Sequence, residues 1–212
     1  MAGNGRDGQR RLTGEPAELV RLAGAAMSEV MDGLTGSAAV AEGATAADKA
    51  LAELRERIEE DAAGVLPGRT AQRSDRHTIV VGVHVGTEVE CLADLAEQLL
   101  RLAWSRQSAE PWPERLRLPL RGMGEVVLVM LAKAADTLEA EAAEARADLL
   151  AEQHEVAQRQ RLLYELLLSG AEPAGAGDSA DATLLACYYQ RCADHAVSVA
   201  RHAVLFSAAG GR

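Results

Sequence analysis

Residues 90–103, ECLADLAEQLLRLA, decide the fold because they recur as QRCADHAVSVARHA at residues 190–203. A second motif is repeated in the same order, as LAGAA at residues 22–26 and LAKAA at residues 131–135. Two motifs that recur in one order along a chain indicate a duplicated unit. We therefore expect two structurally similar halves.

The repeated segments carry apolar residues at the period of an α-helix. In the first copy the apolar stripe consists of Val81, Val85, Val89, Leu92, Ala96, Leu99 and Ala103. In the second copy it consists of Leu185, Tyr189, Cys192, Ala196, Val199 and Ala203. Residues 77–85, HTIVVGVHV, have the β-branched composition of a strand, but the helical phase continues through them and no partner strand is evident. The sequence predicts a helix there as well.

Gly and Pro residues divide the chain into six segments of helical length. Five of these segments span about residues 13–34, 45–65, 74–105, 144–168 and 178–207, and the fourth in order begins between residues 113 and 119 and reaches about residue 142. Short connections favour antiparallel neighbours, so the predicted fold is all-α, with two tandem antiparallel three-helix bundles. We assign residues 1–12 to a disordered tail, 13–107 to the first bundle and 108–212 to the second. The boundary lies in the proline-containing run SRQSAEPWP.

Composition and charge narrow the classes of function. The chain has 42 alanines and 28 leucines but only six aromatic residues, a mixture that favours helices over a sheet core. A net charge of −10 disfavours nucleic acids and anionic membranes, because binding to these partners depends on basic patches. The sequence contains neither a secretory leader nor an apolar run of about 18 residues, so we expect a cytoplasmic protein.

Catalytic motifs are not recognisable in the sequence. It contains no GxxxxGK[ST] loop, no GxGxxG after a strand, no HExxH and no ordered Ser/His/Asp or Cys/His set. His195 and His202 share one flank of the last helix, where histidines are more often packed or solvated than metal-bound. We therefore do not expect an enzyme.

Three stretches carry a family resemblance. They are TEVECLADLAEQL at residues 87–99, MLAKAAD at 130–136 and LLACYYQRCADHAVSVARHAV at 184–204. In order and spacing they resemble the PhoU family of phosphate-uptake regulators, and the resemblance extends over about residues 15–207. ADHAVSVA at residues 193–200 is the strongest match.

The resemblance implies a regulator that binds other proteins. Such regulators report phosphate sufficiency from the phosphate ABC transporter to a sensor histidine kinase and keep phosphate-responsive genes off. The implied partners are the ATPase subunit of the transporter and the kinase, with homodimerisation left open. Two alternatives remain, a metal-binding helical bundle and a helical scaffold paralogue with a different role.

The resemblance also implies a possible cofactor, a divalent metal ion bound on the surface of the bundle. In the family, an acidic pair spaced E/D-x-x-x-D on each signature helix can hold metal ions. Glu90 and Asp94 match this pair in the first half, whereas in the second half Asp194 is retained and Gln190 replaces the other acid. The implied metal ligands are thus Glu90, Asp94 and Asp194. One helix offers too few ligands for a stable site, so Asp75 and other helices would have to contribute.

The same acidic residues have a simpler interpretation as a solvated face that binds a partner. Glu90, Asp94, Glu97 and Arg101 lie opposite the core stripe, with Glu97 and Arg101 spaced as an i,i+4 ion pair. This interpretation predicts partner binding at Glu90, Asp94 and Glu97.

Overall fold

Helices account for all the regular structure in the part of the chain that the computed structural model describes, which is residues 3–33, 49–50, 52–53, 56, 73–106, 112–140, 145–169 and 175–210. Five helices have defined bounds: α1 (Gly3–Gly33), α2 (Arg73–Ser105), α3 (Glu114–Ala140), α4 (Ala145–Leu168) and α5 (Ala176–Gly210). The all-α prediction is confirmed, including helix across residues 77–85.

The bounds of α2 to α5 agree with the predicted segments to within a few residues. α3 begins directly after Pro113, whose carbonyl accepts hydrogen bonds from the backbone N–H groups of Leu116 and Arg117. Proline suits a helix start because it has no N–H of its own that would need an intrahelical acceptor. Of the helix predicted at 45–65, residues 49–50, 52–53 and 56 are helical, and its other residues lie outside those described.

α1 differs from the prediction at its first residue. The helix begins at Gly3, ahead of the predicted start at Thr13 and within residues 1–12, where the sequence predicts a disordered tail. The C-terminal part of α1 is anchored by buried residues such as Leu19 and Met27. Once a helix is anchored, each added residue gains one backbone hydrogen bond, and arginine and glutamine are good helix formers.

One continuous hydrophobic core connects all five helices. Both predicted stripes face it, and every one of their residues is buried except Ala103, which is half-buried. α2 buries a wider face than its stripe, since Ala93, Leu95 and Leu100 are also fully buried. The reason is that α2 packs against two helices, α1 and α5.

Corresponding helices of the two predicted halves face each other. α1 packs against α3, and α2 packs against α5. α3, α4 and α5 each pack against the other two, as in a three-helix bundle. The division into bundles at residue 107 stays a prediction, because the helix predicted at 45–65 lies largely outside the described residues.

α2 and α5 run antiparallel. At one end, Arg106 lies just after α2 and forms ion pairs with Asp178 at 2.9 Å and Asp181 at 2.7 Å near the start of α5. The Arg106 guanidinium also lies 4.4 Å from the ring centroid of the buried Trp112, a cation–π contact. At the other end, the rings of His84 and His202 stack. The long contact between the two signature helices is therefore fixed at both ends.

Within the described ranges, none of the helices is long and apolar enough to cross a lipid bilayer.

Candidate functional site

The acidic residues predicted to bind a partner lie on the polar side of α2. Asp94 is exposed, and Glu90 and Glu97 are half-buried. Glu97 Oε2 accepts a hydrogen bond from Arg101 Nη2 at 3.0 Å, which confirms the i,i+4 pair. A protein partner can reach all three carboxylates without displacing the core.

Charges of both signs meet around Cys91, in the middle of the contact between α2 and α5. Burial raises the pKa of the Cys91 thiol, and the nearby carboxylates of Glu88 and Asp94 raise it further. Arg191 of α5 acts in the opposite direction. A raised pKa keeps the thiol protonated and weakly nucleophilic, so Cys91 is poorly suited to covalent chemistry.

The three implied metal ligands stand on two helices, Glu90 and Asp94 on α2 and Asp194 on α5. Among the described side chains, no three histidines, cysteines or acids come together as a group that could hold a metal ion. Asp75, which was expected to contribute, lies outside the described side chains. Metal binding at Glu90 and Asp94 stays a prediction.

Asp194 is bonded to two glutamines. Its Oδ1 accepts one hydrogen bond from Gln153 Nε2 of α4 at 2.7 Å and another from Gln190 Nε2 of α5 at 2.9 Å. Because a carboxylate oxygen can only accept hydrogen bonds, each glutamine must turn its NH2 group, and not its carbonyl oxygen, towards Asp194. The bond from Gln153 crosses from α4 to α5, whereas the bond from Gln190 is an i,i+4 contact within α5.

A polar contact that the sequence analysis did not foresee joins α2 to α5. His195 Nδ1 lies 2.6 Å from Glu88 Oε2, and the Ser198 hydroxyl donates to Glu88 Oε1 at 2.8 Å. The carboxylate can only accept, so Nδ1 carries the proton in this bond. His195 was expected to be packed or solvated, and it is half-buried and hydrogen-bonded.

Glu88 remains ionised in this setting. Burial by itself would raise the pKa of Glu88, but the hydrogen bonds from His195 and Ser198 outweigh it and hold the pKa below its ordinary value. No local motif marks Glu88 in the sequence. The repeat does not point to it either, because duplicated helices carry no information about their mutual register.

One turn away, the rings of His84 and His202 stack nearly parallel, with centroids 5.2 Å apart. His202 Nδ1 is buried and has no hydrogen-bond partner among the described residues. The Glu88–His195 bond and the His84–His202 stack therefore lie at neighbouring positions along the α2–α5 contact.

Comparison with known proteins connects this architecture to a family. Residues 120–203, from α3 through most of α5, match the family model described as the PhoU domain. A protein of Mycobacterium tuberculosis named phosphate-specific transport system accessory protein PhoU homolog 2 is 28% identical over 194 residues, 91% of each chain. The Mycobacterium leprae protein named PhoU homolog 1 is 26% identical, over 92% of this chain and 87% of its own.

Solved structures share the fold. The crystal structure of PhoU from Pseudomonas aeruginosa superimposes with a TM-score of 0.81 at 16% identity, covering 94% of this chain and 96% of its own. That of the phosphate transport system regulatory protein PhoU from Streptococcus pneumoniae gives 0.74 at 16% identity, over 94% of each chain. Residues 120–203 thus match the PhoU domain, and over nearly its whole length the chain is similar to PhoU homologues and shares the fold of PhoU.

Proposed function

We propose that this protein regulates phosphate uptake and phosphate-starvation signalling. It acts in the cytoplasm as an adaptor between a phosphate ABC transporter and a sensor histidine kinase, and it keeps phosphate-responsive genes off while phosphate is plentiful. One observation carries the proposal: the match to a phosphate-specific transport accessory protein extends over 91% of both chains. The two proteins therefore align without an inserted or missing domain in either chain.

The chemistry of the α2 surface supports a role in binding. Glu90, Asp94 and Glu97 give this helix a negative, solvent-accessible face. A partner with a basic patch would associate with it quickly and in a salt-sensitive way, because exposed charges are screened over about 8 Å at physiological ionic strength. Such binding needs no catalytic group.

Deletion of the gene in its host tests the proposal. We expect phosphate-responsive genes to be expressed, or phosphate uptake to increase, in medium that contains ample phosphate. Reintroducing the wild-type gene should restore repression. Unchanged expression and unchanged uptake in the deletion strain would contradict the regulatory role.

Affinity capture tests the partners separately. The tagged protein should recover the ATPase subunit of the phosphate transporter or a sensor histidine kinase at low salt, and lose it as salt is raised. If neither partner is recovered at low salt, the adaptor role is wrong.

A further inference from the structure

Asp194 occupies the position of the second-half metal ligand, but its surroundings are those of a hydrogen-bond acceptor. Two amide N–H groups, from Gln153 and Gln190, point at the same oxygen, Oδ1, at 2.7 and 2.9 Å. A cation placed at this oxygen would meet the positive ends of both amide dipoles. The donor groups and a metal ion therefore compete for the same lone pairs.

Two acids of α4 are already paired with a lysine of α3. Lys133 Nζ of α3 lies 2.6 Å from Glu152 Oε1 and 3.9 Å from Asp148 Oδ2. The ammonium group supplies the positive charge that a bound cation would otherwise provide. Glu152 is thus engaged towards α3 and is not part of the group around Asp194.

Hard divalent cations take about six to eight oxygen ligands, and although water can complete the shell, carboxylates supply the negative charge that holds the ion. Around Asp194 the structure shows one carboxylate bonded by two amides. Gln190 Oε1 is buried and accepts no hydrogen bond within the described residues, but a single neutral amide oxygen is a weak ligand. The residues at this position do not fit a divalent metal site.

The same bonds have a structural consequence, because α4 is held by few apolar contacts. Among its described side chains, the fully buried apolar residues are Leu149, Val156 and Leu163, and only Tyr164 and Leu167 add partly buried contacts to the core. Several of its leucines, including Leu162 and Leu168, are exposed. Polar bonds to α3 and α5 are therefore an important part of its attachment.

We propose that the second-half acidic motif of this chain is a metal-independent clasp, in which Gln153 and Gln190 hold Asp194 and fasten α4 to α5. The Gln153–Asp194 bond joins the two helices, the Gln190–Asp194 bond orients the carboxylate within α5, and neither needs a metal ion. This proposal concerns the chain itself and does not depend on the regulatory function.

Titration with MnCl2 by isothermal calorimetry tests the clasp in the full-length protein. The Asp194→Asn variant keeps an oxygen that can accept both amide bonds but removes the charge that a cation needs. We expect it to bind the same number of Mn²⁺ ions as the wild type, with the same affinity, including none if the wild type binds none. Loss of one Mn²⁺ per chain in Asp194→Asn, but not in a Glu90→Gln/Asp94→Asn variant, would overturn the proposal.

Replacing the two glutamines by glutamates tests whether their amide groups are what prevents a metal ion from binding at Asp194. Gln153→Glu with Gln190→Glu places three carboxylates together, and we expect it to gain about one Mn²⁺ per chain. Adding Asp194→Asn should remove the gain, and a control with equal added charge at two exposed positions, Val83→Glu with Leu162→Glu, should show none. A folded variant that gains no Mn²⁺ would contradict the role of the two amides.

Amide hydrogen exchange tests whether the clasp holds α4 in place, which a metal-binding assay does not measure. In Gln153→Leu, which has similar size and no N–H donor, the amides of α4 should exchange roughly tenfold faster, as expected for loss of a hydrogen bond to a charged group. EDTA should leave exchange in the wild type unchanged. Faster exchange in α4 on adding EDTA would show that a metal ion holds this helix, and the proposal would fail.

Discussion

Gly124 of α3 faces Met31 of α1 so closely that a Cβ built on the glycine would lie 2.6 Å from Met31 Sδ. The same Cβ would lie 3.2 Å from Cζ of Tyr189, which is fully buried on α5. Three helices therefore converge at one glycine, and the absence of a side chain there lets α1 and α5 approach α3.

Replacing this glycine should destabilise the protein. Gly124→Ala forces Met31 and Tyr189 to move, and overpacking of this kind typically costs about 1 to 3 kcal/mol, of which the better helix propensity of alanine offsets up to about 1 kcal/mol. The control is Gly82→Ala on α2, where a Cβ meets nothing within 4 Å. There alanine should be neutral or stabilising by up to about 1 kcal/mol, because it favours helix over glycine. Chemical denaturation of both variants checks the contrast, and equal effects would contradict it.

The alanines at the centre of the two signature helices should not tolerate larger residues. Ala93 and Ala193 are both fully buried, with 0% of the residue surface exposed to solvent. We expect Ala93→Leu and Ala193→Leu each to lower the free energy of unfolding by about 1 to 3 kcal/mol. Ala157→Leu, at an exposed position of α4, is the matched control. Unchanged denaturation midpoints for both core variants would refute the packing argument.

The contact between Glu88 and His195 should make stability depend on pH. The pKa of Glu88 is lower in the folded protein than its ordinary value of 4.5, so its ionised form stabilises the fold above that pH. This contribution is lost as the pH falls through the lowered pKa. Glu88→Gln should cost about 1 to 2 kcal/mol at pH 6 and progressively less towards pH 3.

Glu125→Gln is the control for this pH dependence. Glu125 forms an exposed i,i+4 ion pair with Arg121, which should contribute no more than about 0.5 kcal/mol. Urea unfolding at several pH values measures both variants. A difference between wild type and Glu88→Gln that stays constant from pH 6 to pH 3 would argue against a stabilising carboxylate.

Any divalent cation that the chain binds should depend on the first half. Glu90 and Asp94 are the acidic pair retained there, so Glu90→Gln with Asp94→Asn should abolish whatever divalent-cation binding the wild type shows. Elemental analysis after dialysis against MnCl2 measures the bound metal. Equal occupancy at both signature helices in a crystal soaked with Mn²⁺ would contradict this asymmetry.

Charge reversal on α2 should weaken partner binding without unfolding the protein. Glu90→Lys, Asp94→Lys and Glu97→Lys together change a polar face and leave the core residues intact. A control with the same change in charge is Glu114→Lys, Glu155→Lys and Glu165→Lys, which also breaks one i,i+4 pair, Glu155 with Arg159. Capture of the kinase or the transporter ATPase should fall only in the α2 variant. Equal capture by both variants would show that the partner does not bind through Glu90, Asp94 and Glu97.

Much of the fold followed from periodicity. The stripe from Val81 to Leu99 is buried as predicted, and the same phase made residues 77–85 helical despite their β-branched composition. Local signals also bounded helix ends, since α3 begins at Glu114, within the interval from Pro113 to Pro119 that the two prolines indicate. They failed at the start of α1, because glycine-rich sequence indicates a tail while an anchored helix can extend through it.

The sequence by itself determined the helices, their buried faces and the positions of the acidic residues, because helical period and the repeat are properties of neighbouring residues along the chain. Tertiary structure alone decided which residues bond across helices. Glu88 meets His195 only because α2 and α5 cross antiparallel, and Asp194 meets Gln153 only because α4 lies against α5. Such contacts depend on the register between distant segments, and side-chain spacing within one helix carries no information about that register.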